Sequence, residues 1–372
     1  MAGAFAGLLA VGLHKMDGIG GYEGWRWILI IEGIITVLIS FLAFFIIQGS
    51  PSSSTFLSER EREIITHRLR NDELGISGSD DEDPEQERLA KVTAQKGSSH
   101  TTGALFRLVF GKWHIYAHIL VFLGISGPLY SIALCLPSIL AQLSSTTTPT
   151  TANLLTIPIY ITACILSLIT AFASDRTGRR APFILGAYIA MFIGFLLALT
   201  RPAHIPALGY VGVFIAACGI YPAFPGMITW CSNNIGGGEK VRAISMAFHI
   251  GTGSFGGAMG ANFYSNATKG SQGLYRVGHA INLAFVTMGM VTVGILWVRY
   301  TAVNRQREVK RARLRADFEE DVKNARKEWT TSGSSEEEQG VRERSMRREW
   351  EVKREMNLLE RGEQSVWFIY TI

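Results

Sequence analysis

Cysteine is scarce: the chain has four in 372 residues, Cys135, Cys164, Cys218 and Cys231. Each lies in or beside an apolar block, and no two are spaced C-x-x-C. A disulfide framework or a zinc ribbon is therefore not what organises the chain, and the thiols read as small packing groups. Hydrolase signatures are missing as well. There is no H-E-x-x-H, no G-x-S-x-G and no pair of aspartates inside an apolar block, so the usual zinc, serine and intramembrane aspartyl chemistries have no residues to carry them. The first residues offer neither a basic stretch nor a cleavage site, which argues against a signal peptide. A net charge of +5 comes without a basic stripe interleaved with aromatics, so nucleic acid is not an expected partner. No enzymatic activity, metal or cofactor is expected.

What the chain has is apolar sequence in long blocks with almost no charge. Hydrophobic residues make up 48% of the total. The blocks fall at about 1–14, 26–48, 114–142, 152–174, 182–200, 206–230, 243–265 and 279–299. Blocks of this length read as membrane-spanning helices. The first ends at Leu13. A helix that short reaches roughly 20 Å against a hydrocarbon core of about 30 Å, so it reads as the second half of a span.

Orientation follows from lysine and arginine. They concentrate in the 49–113 segment, in Arg176, Arg179 and Arg180, in Lys240 and Arg242, and after Arg299. The alternate connections are poorer: 143–151 carries no charge and 201–205 carries Arg201 alone. If every block spans, the basic connections share one side, which is then cytoplasmic together with the tail. Four regions result: 1–48 with two spans, a cytoplasmic loop at 49–113, a six-helix unit at 114–299, and a charged tail at 300–372. Within the loop, Ser58 with Glu61 three residues on predicts a capped surface helix, and Gly75–Pro84 reads as a disordered linker. In the tail, Arg305–Arg315 is a basic juxtamembrane stretch, read as a lipid-attracting segment or a plain topology anchor. Gly333–Gln339 is expected to be flexible, and Val341–Arg361 to form a charged helix. Asn266-Ala267-Thr268 is a glycosylation sequon set too close to a helix end for modification to be expected.

The most specific motif is Asp175-Arg176-Thr177-Gly178-Arg179-Arg180, in a short turn between two spans. Gly178 permits a tight turn. Asp175 is available to a neighbouring helix end, while the arginines stay in water or pair with anions. The pattern suits a conformational latch, beside the simpler reading of a basic topology turn. It resembles the cytoplasmic-loop signature of the major facilitator superfamily, and the long 49–113 loop resembles the link between that family's two halves. Further patches resemble the fungal anion:cation symporter branch, which includes allantoate permease. These are Met16-Asp17-Gly18, Gly24-Trp25-Arg26-Trp27-Ile28 and Ile31-Glu32-Gly33; then Trp230, Asn233-Asn234, Gly238 and Lys240; then Tyr275-Arg276, Gly278-His279 and Asn282. Together they run from Met1 to about Arg299. Two features depart from the family: nothing matches its first four helices, and Ser254 stands where asparagine is common.

Gly251, Gly253, Gly256, Gly257 and Gly260 line one apolar block. The first three match G-x-G-x-x-G, but no strand precedes them, so close helix packing is expected rather than a dinucleotide site. Pro128, Pro137, Pro158, Pro222 and Pro225 interrupt spans and read either as hinges or as static kinks. Ionisable groups inside spans are functional candidates by default. Glu32 has two readings, a proton-coupling carboxylate or a partner for Arg26. His249 is a titrating group or a packed, bonded histidine. Tyr130, Tyr160, Tyr221 and Asn262 are candidate cavity groups.

The expected fold is an all-α polytopic membrane bundle of the major-facilitator type. It would have about eight spans, the last two of an N-terminal half and all six of the C-terminal half. The resemblance implies a secondary transporter, taking up a small organic anion such as allantoate, nicotinate or a related vitamin together with protons. Membrane lipids, the anion and protons are the implied partners, and the plasma membrane the implied site. The alternative is a non-transporting remnant or a regulatory partner of a larger transporter.

Overall fold

In this computed structural model the described residues are 9, 12–13, 16–46, 57–74, 102–141, 148–202, 204–236, 239–264, 275–332, 335–361 and 371. Among them the chain is helical, with no strand. The elements are α1 (Gly24–Ile46), α2 (Glu59–Leu74), α3 (Thr102–Phe110), α4 (Trp113–Ala141), α5 (Pro149–Thr177), α6 (Ala181–Thr200), α7 (Pro206–Asn233), α8 (Glu239–Gly260), α9 (Arg276–Thr331) and α10 (Glu336–Arg361). Six of these are long and apolar enough to cross a membrane: α1, α4, α5, α6, α7 and α9. The expected partial span at 1–14, the 75–84 linker and the 266–268 sequon lie outside the described residues, the first almost entirely. The expected span at 243–265 is present as α8, yet it is not among the six. Ser245, His249, Thr252, Ser254 and its glycines dilute its hydropathy; one face, with Ser245, His249, Gly253, Gly256 and Gly260, is buried, while Ile250, Phe255 and Met259 face out.

Helices α4 to α9 make one bundle. α4 lies deepest, with 61% of its apolar window buried, against 17% for α5 and none for α1. The reason is composition: Gly124, Gly127, Ser126 and Ser131 let neighbours approach α4 from several directions. Ser126 and Ser131 donate to the carbonyls of Gly253 (2.7 Å) and Gly260 (2.9 Å) on α8. Cβ atoms at Gly253, Gly256, Gly257 and Gly260 would run into Phe122, Ser126, Tyr130 and Gly127 of α4. Four of the five flagged glycines thus sit in a close interface, as small residues do between membrane helices. Gly251 does not: nothing lies within 4 Å of its would-be Cβ. It is two residues from Gly253, and a 3.6-residue period turns it to another face.

Among the described residues outside the bundle, more are helical than expected. Ser58 and Glu61 form the predicted capping box on α2. The Ser58 N–H donates to Glu61 Oε2 (3.0 Å), and the Glu61 N–H donates to Ser58 Oγ (3.4 Å). These bonds hold the Glu61 carboxyl below its ordinary range. α3 was not expected. It inserts Val109 fully and sets Phe110 edge-on to Phe248 of α8, at 4.8 Å between centroids. In the tail, α9 continues without a break from the membrane to Thr331. Ser335 and Glu338 form a second capping box that starts α10, so the expected flexible stretch is helical from Glu336 onward. α10 folds back along α9. Arg347 grips Glu319 with two bonds (2.8 and 3.1 Å), and Trp350 stacks on Phe318 at 5.0 Å.

Candidate functional site

The α5–α6 turn carries the Asp175–Arg180 motif. Gly178 ends α5 at φ +65°, a left-handed conformation that suits glycine. Its N–H bonds the Asp175 carbonyl, and the chain re-enters a helix at once. Arg180, the residue capping α6, donates from Nη2 to Asp175 Oδ1 at 2.6 Å. Arg180 is largely covered, with 18% of its side chain exposed, while Asp175 remains open to solvent. Arg176 and Arg179 are exposed. The motif is therefore one ion pair clamping a turn, flanked by two free-standing guanidinium groups.

Candidate groups inside the bundle divide into those brought together and those left apart. Tyr160 of α5 and Tyr221 of α7 meet edge-on at 5.7 Å, both half-buried. One turn along α7, Phe224 touches Phe122 of α4, and Phe122 lies 5.0 Å from the ring of His249 on α8. His249 is fully buried. Beyond it stand His118, Trp230 and Tyr300, from α4, α7 and α9. A row of aromatic and polar rings thus crosses the bundle from α5 to α9. Pro222 and Pro225 sit within the stretch of α7 that supplies it.

The other candidates stay outside that row. Tyr130 is 42% exposed and covers Gly257. Asn262 is exposed and returns its amide to the Ala258 carbonyl of its own helix end at 3.0 Å. Glu32 is exposed on α1. Its expected pairing with Arg26 is not made. Arg26 lies 3.8 Å from Glu23 and over the Trp25 ring. Six residues of helix turn Glu32 away from Arg26, whereas three turn Glu23 toward it.

His118 is the main functional candidate that sequence reading missed. It lies within the apolar 114–142 block, and the signal was available: it lies one turn from His114, so two imidazoles share a face.

The three resemblance patches all have structural work. Asp17 Oδ1 accepts the Gly24 N–H at 2.6 Å and caps α1, across a turn in which Gly18, Gly20 and Gly21 all have positive φ. Asn234 is fully buried and donates to the Trp230 carbonyl. Asn234 and the Trp230 indole also hold the backbone of Thr371, through Thr371 N–H to Asn234 Oδ1 (2.6 Å) and Trp230 Nε1–H to the Thr371 carbonyl (2.7 Å). His279, Tyr264, Asn282 and Ser131 form a buried chain of hydrogen bonds that ties α9 to α4 and to the end of α8.

Comparison with known proteins agrees with this build. The chain is 29% identical over 306 residues to the MFS transporter prlL of a fungal species (strain NRRL 50135), covering 82% of this chain and 57% of that protein. It is 28% identical over 316 residues to the MFS-type transporter cnsO of Penicillium expansum, covering 82% and 56%. It is 28% identical over 286 residues to the high-affinity nicotinic acid transporter of Saccharomyces cerevisiae, covering 77% and 48%. The chain spans about half the length of the curated relatives it matches. No solved structure matches. These relatives are transporters and not enzymes. An apolar helical bundle with the Asp175–Arg180 turn between α5 and α6, matched over residues 1–261 by the family description, makes this chain a member of the Major Facilitator Superfamily.

Proposed function

We propose that this chain works in the proton-coupled uptake of a small organic anion by alternating access. The carrying observation is the relative whose name states a substrate: nicotinic acid, a small carboxylate, aligned with 77% of this chain. The sequence patches that resemble the fungal anion:cation symporter branch support the same class. On this reading α1 is the last span of an N-terminal half, and α4 to α9 are the C-terminal half. The half-buried Tyr160–Tyr221 pair lines the path of the anion, where a phenol hydroxyl offers a donor to a carboxylate. The Asp175–Arg180 turn, α2 and the α9–α10 hairpin face the cytoplasm, as the lysine and arginine bias favours, and the membrane is the plasma membrane.

The test is uptake of labelled nicotinate and allantoate into yeast that lack their own carriers, with this chain expressed. Uptake should rise as external pH falls and collapse when an uncoupler removes the proton gradient. Uptake of a carboxylate that ignores the uncoupler would remove proton coupling. Uptake confined to neutral or cationic solutes would remove the anion.

The latch adds a second expectation. An exposed ion pair contributes about 0.2–1 kcal/mol, so Asp175→Asn should barely change stability. The same energy applied to one of two conformations shifts their ratio up to about fivefold. Labelling of single cysteines from either side of the membrane should therefore redistribute in Asp175→Asn, and Arg180→Gln should reproduce the shift. Unchanged accessibility in both would leave the turn as a topology signal.

A further inference from the structure

The six-helix bundle is nearly free of carboxylates. From Thr102 to Tyr300 the sequence contains two, Asp175 and Glu239. Asp175 is held by Arg180 at the end of α5. Glu239 opens α8, ten residues from His249 and so roughly 15 Å along the helix. A proton that enters the interior of this bundle has to rest on some other group, and histidine is the side chain suited to that at ordinary pH.

Two histidines meet there with their hydrogen-bonding capacity unused. His118 and His249 are both fully buried, with ring centroids 6.2 Å apart. Neither nitrogen of His249 has a partner, and neither does Nδ1 of His118. Ser245, also fully buried, lies one turn from His249 on the same face of α8, and its hydroxyl has no partner either. Buried polar atoms are nearly always bonded, and each one left alone costs about 1–3 kcal/mol. Four such atoms on two facing helices mark a place where something polar binds. The rings are not in direct contact through an N–H···N bond of roughly 3 Å, and one water-sized bridge would satisfy both. The remaining nitrogen of His118, Nε2, is fixed by the Tyr300 hydroxyl at 3.1 Å.

The surroundings favour a proton over an anion or a metal ion. α4 adds His114, α9 adds Tyr300 and α7 adds the Trp230 indole, 4.9 Å from His118. The nearby cations are engaged or outside: Lys112 donates to the Gly236 carbonyl, Arg299 lies over Trp113, and Arg107 and Arg242 are exposed. Among the described residues no group of three metal-ligating side chains is present.

We propose that His118 and His249 form a shared proton site, in which one proton is held between the two rings through a bridging water and Tyr300 orients His118. Binding adds a proton to a ring nitrogen and release returns it to water, with no other bond made or broken. When His118 is charged, both its nitrogens donate, Nε2 to Tyr300 and Nδ1 to the water. Neutral His118 accepts from Tyr300 instead, so the hydroxyl turns with the charge. Because α4, α8 and α9 each supply one partner, the charge on the site is sensed by three helices at once. The assignment rests on the proton-coupled reading above.

The test is nitrogen-15 magnetic resonance of histidine-labelled full chain in lipid bilayers, as pH is lowered from neutral. One imidazolium signal that exchanges slowly with solvent should appear in the wild type. It should vanish in both His118→Gln and His249→Gln, because the two rings share one titration. Retention of the signal in either variant, or a wild type in which no slowly exchanging imidazolium forms, would overturn the shared site. If the Gln variants fail to fold, a wild type in which no slowly exchanging imidazolium forms still overturns the site. A coupled titration in a chain that shows no proton-dependent uptake would keep the site and remove the transport reading.

Discussion

Gly194→Ala should destabilise the bundle, while Gly186→Ala, two turns earlier on the same helix, should stabilise it. A Cβ at Gly194 would lie 2.6 Å from the Gly212 carbonyl oxygen and 2.8 Å from the Ala216 Cα. Both are backbone atoms of α7, so no side chain can swing aside, and the two helices must separate. The contact is reciprocal: a Cβ at Gly212 would lie 2.8 Å from the Gly194 carbonyl oxygen. Forced overpacking costs about 1–3 kcal/mol when side chains can adjust, and a backbone collision belongs at or above the upper end. At Gly186 nothing lies within 4 Å of the new methyl. There the change only removes glycine's extra freedom in the unfolded chain, worth about 0.5–1 kcal/mol in favour of alanine. Thermal unfolding of the two variants in the same detergent should move the midpoint in opposite directions. Midpoints that move the same way would mean that α6 and α7 are not in backbone contact.

That contact was the less legible kind of packing. The glycines of α8 stand close together in sequence, and their clustering predicts an interface. Gly194, Gly212 and Gly219 are spread over two spans, and nothing local says that α6 and α7 cross at them. The crossing is set by the short Arg201–Ile205 connection and by small residues spaced along both helices, a property of the pair. The spans themselves were legible because hydropathy reports directly on the lipid-facing and core-facing surface. α8 shows the limit of that signal: it is packed by glycines and polar groups, and its hydropathy falls accordingly.

Element ends were read only where a cap was recognised: the Ser335–Glu338 box that starts α10 went unread. Ser58 and Glu61 announced α2. Between Gly294 and Gly333 there is no glycine or proline to stop α9, and the change from apolar to charged sequence at Arg299 marks where the membrane ends, without ending the helix. The site was half legible for a related reason. His249 was conspicuous as a polar group in an apolar block. Its partner His118 lies 131 residues away, and its relevance comes from the packing of α4 against α8. Glu32 was equally conspicuous, but its spacing from Arg26 argued against the pairing all along.

Tyr188 joins these observations, because it is the point at which α4, α6 and α9 meet. Its side chain is fully buried. A Cβ at Gly124 of α4 would lie 3.0 Å from its hydroxyl, and one at Gly289 of α9 would lie in contact with its ring. The hydroxyl donates to the Val121 carbonyl on α4. Glycines on two helices have made the space that one tyrosine fills. Tyr188→Ala should therefore lose about 3–5 kcal/mol, the range for emptying an aromatic site that cannot collapse. Tyr188→Phe keeps the ring and loses one hydrogen bond, at about 0.5–1.5 kcal/mol. Denaturant unfolding of the pair would separate volume from bonding, and equal losses would mean that the hydroxyl, not the ring, holds the three helices. The distinction bears on the proposed proton-coupled uptake. Val121 lies one turn from His118 on α4, so a hydroxyl that anchors Val121 also fixes the register of the buried histidine. Tyr188→Phe should then alter the pH dependence of uptake more than its small loss of stability would suggest, whereas a purely structural tyrosine would lower uptake evenly at every pH.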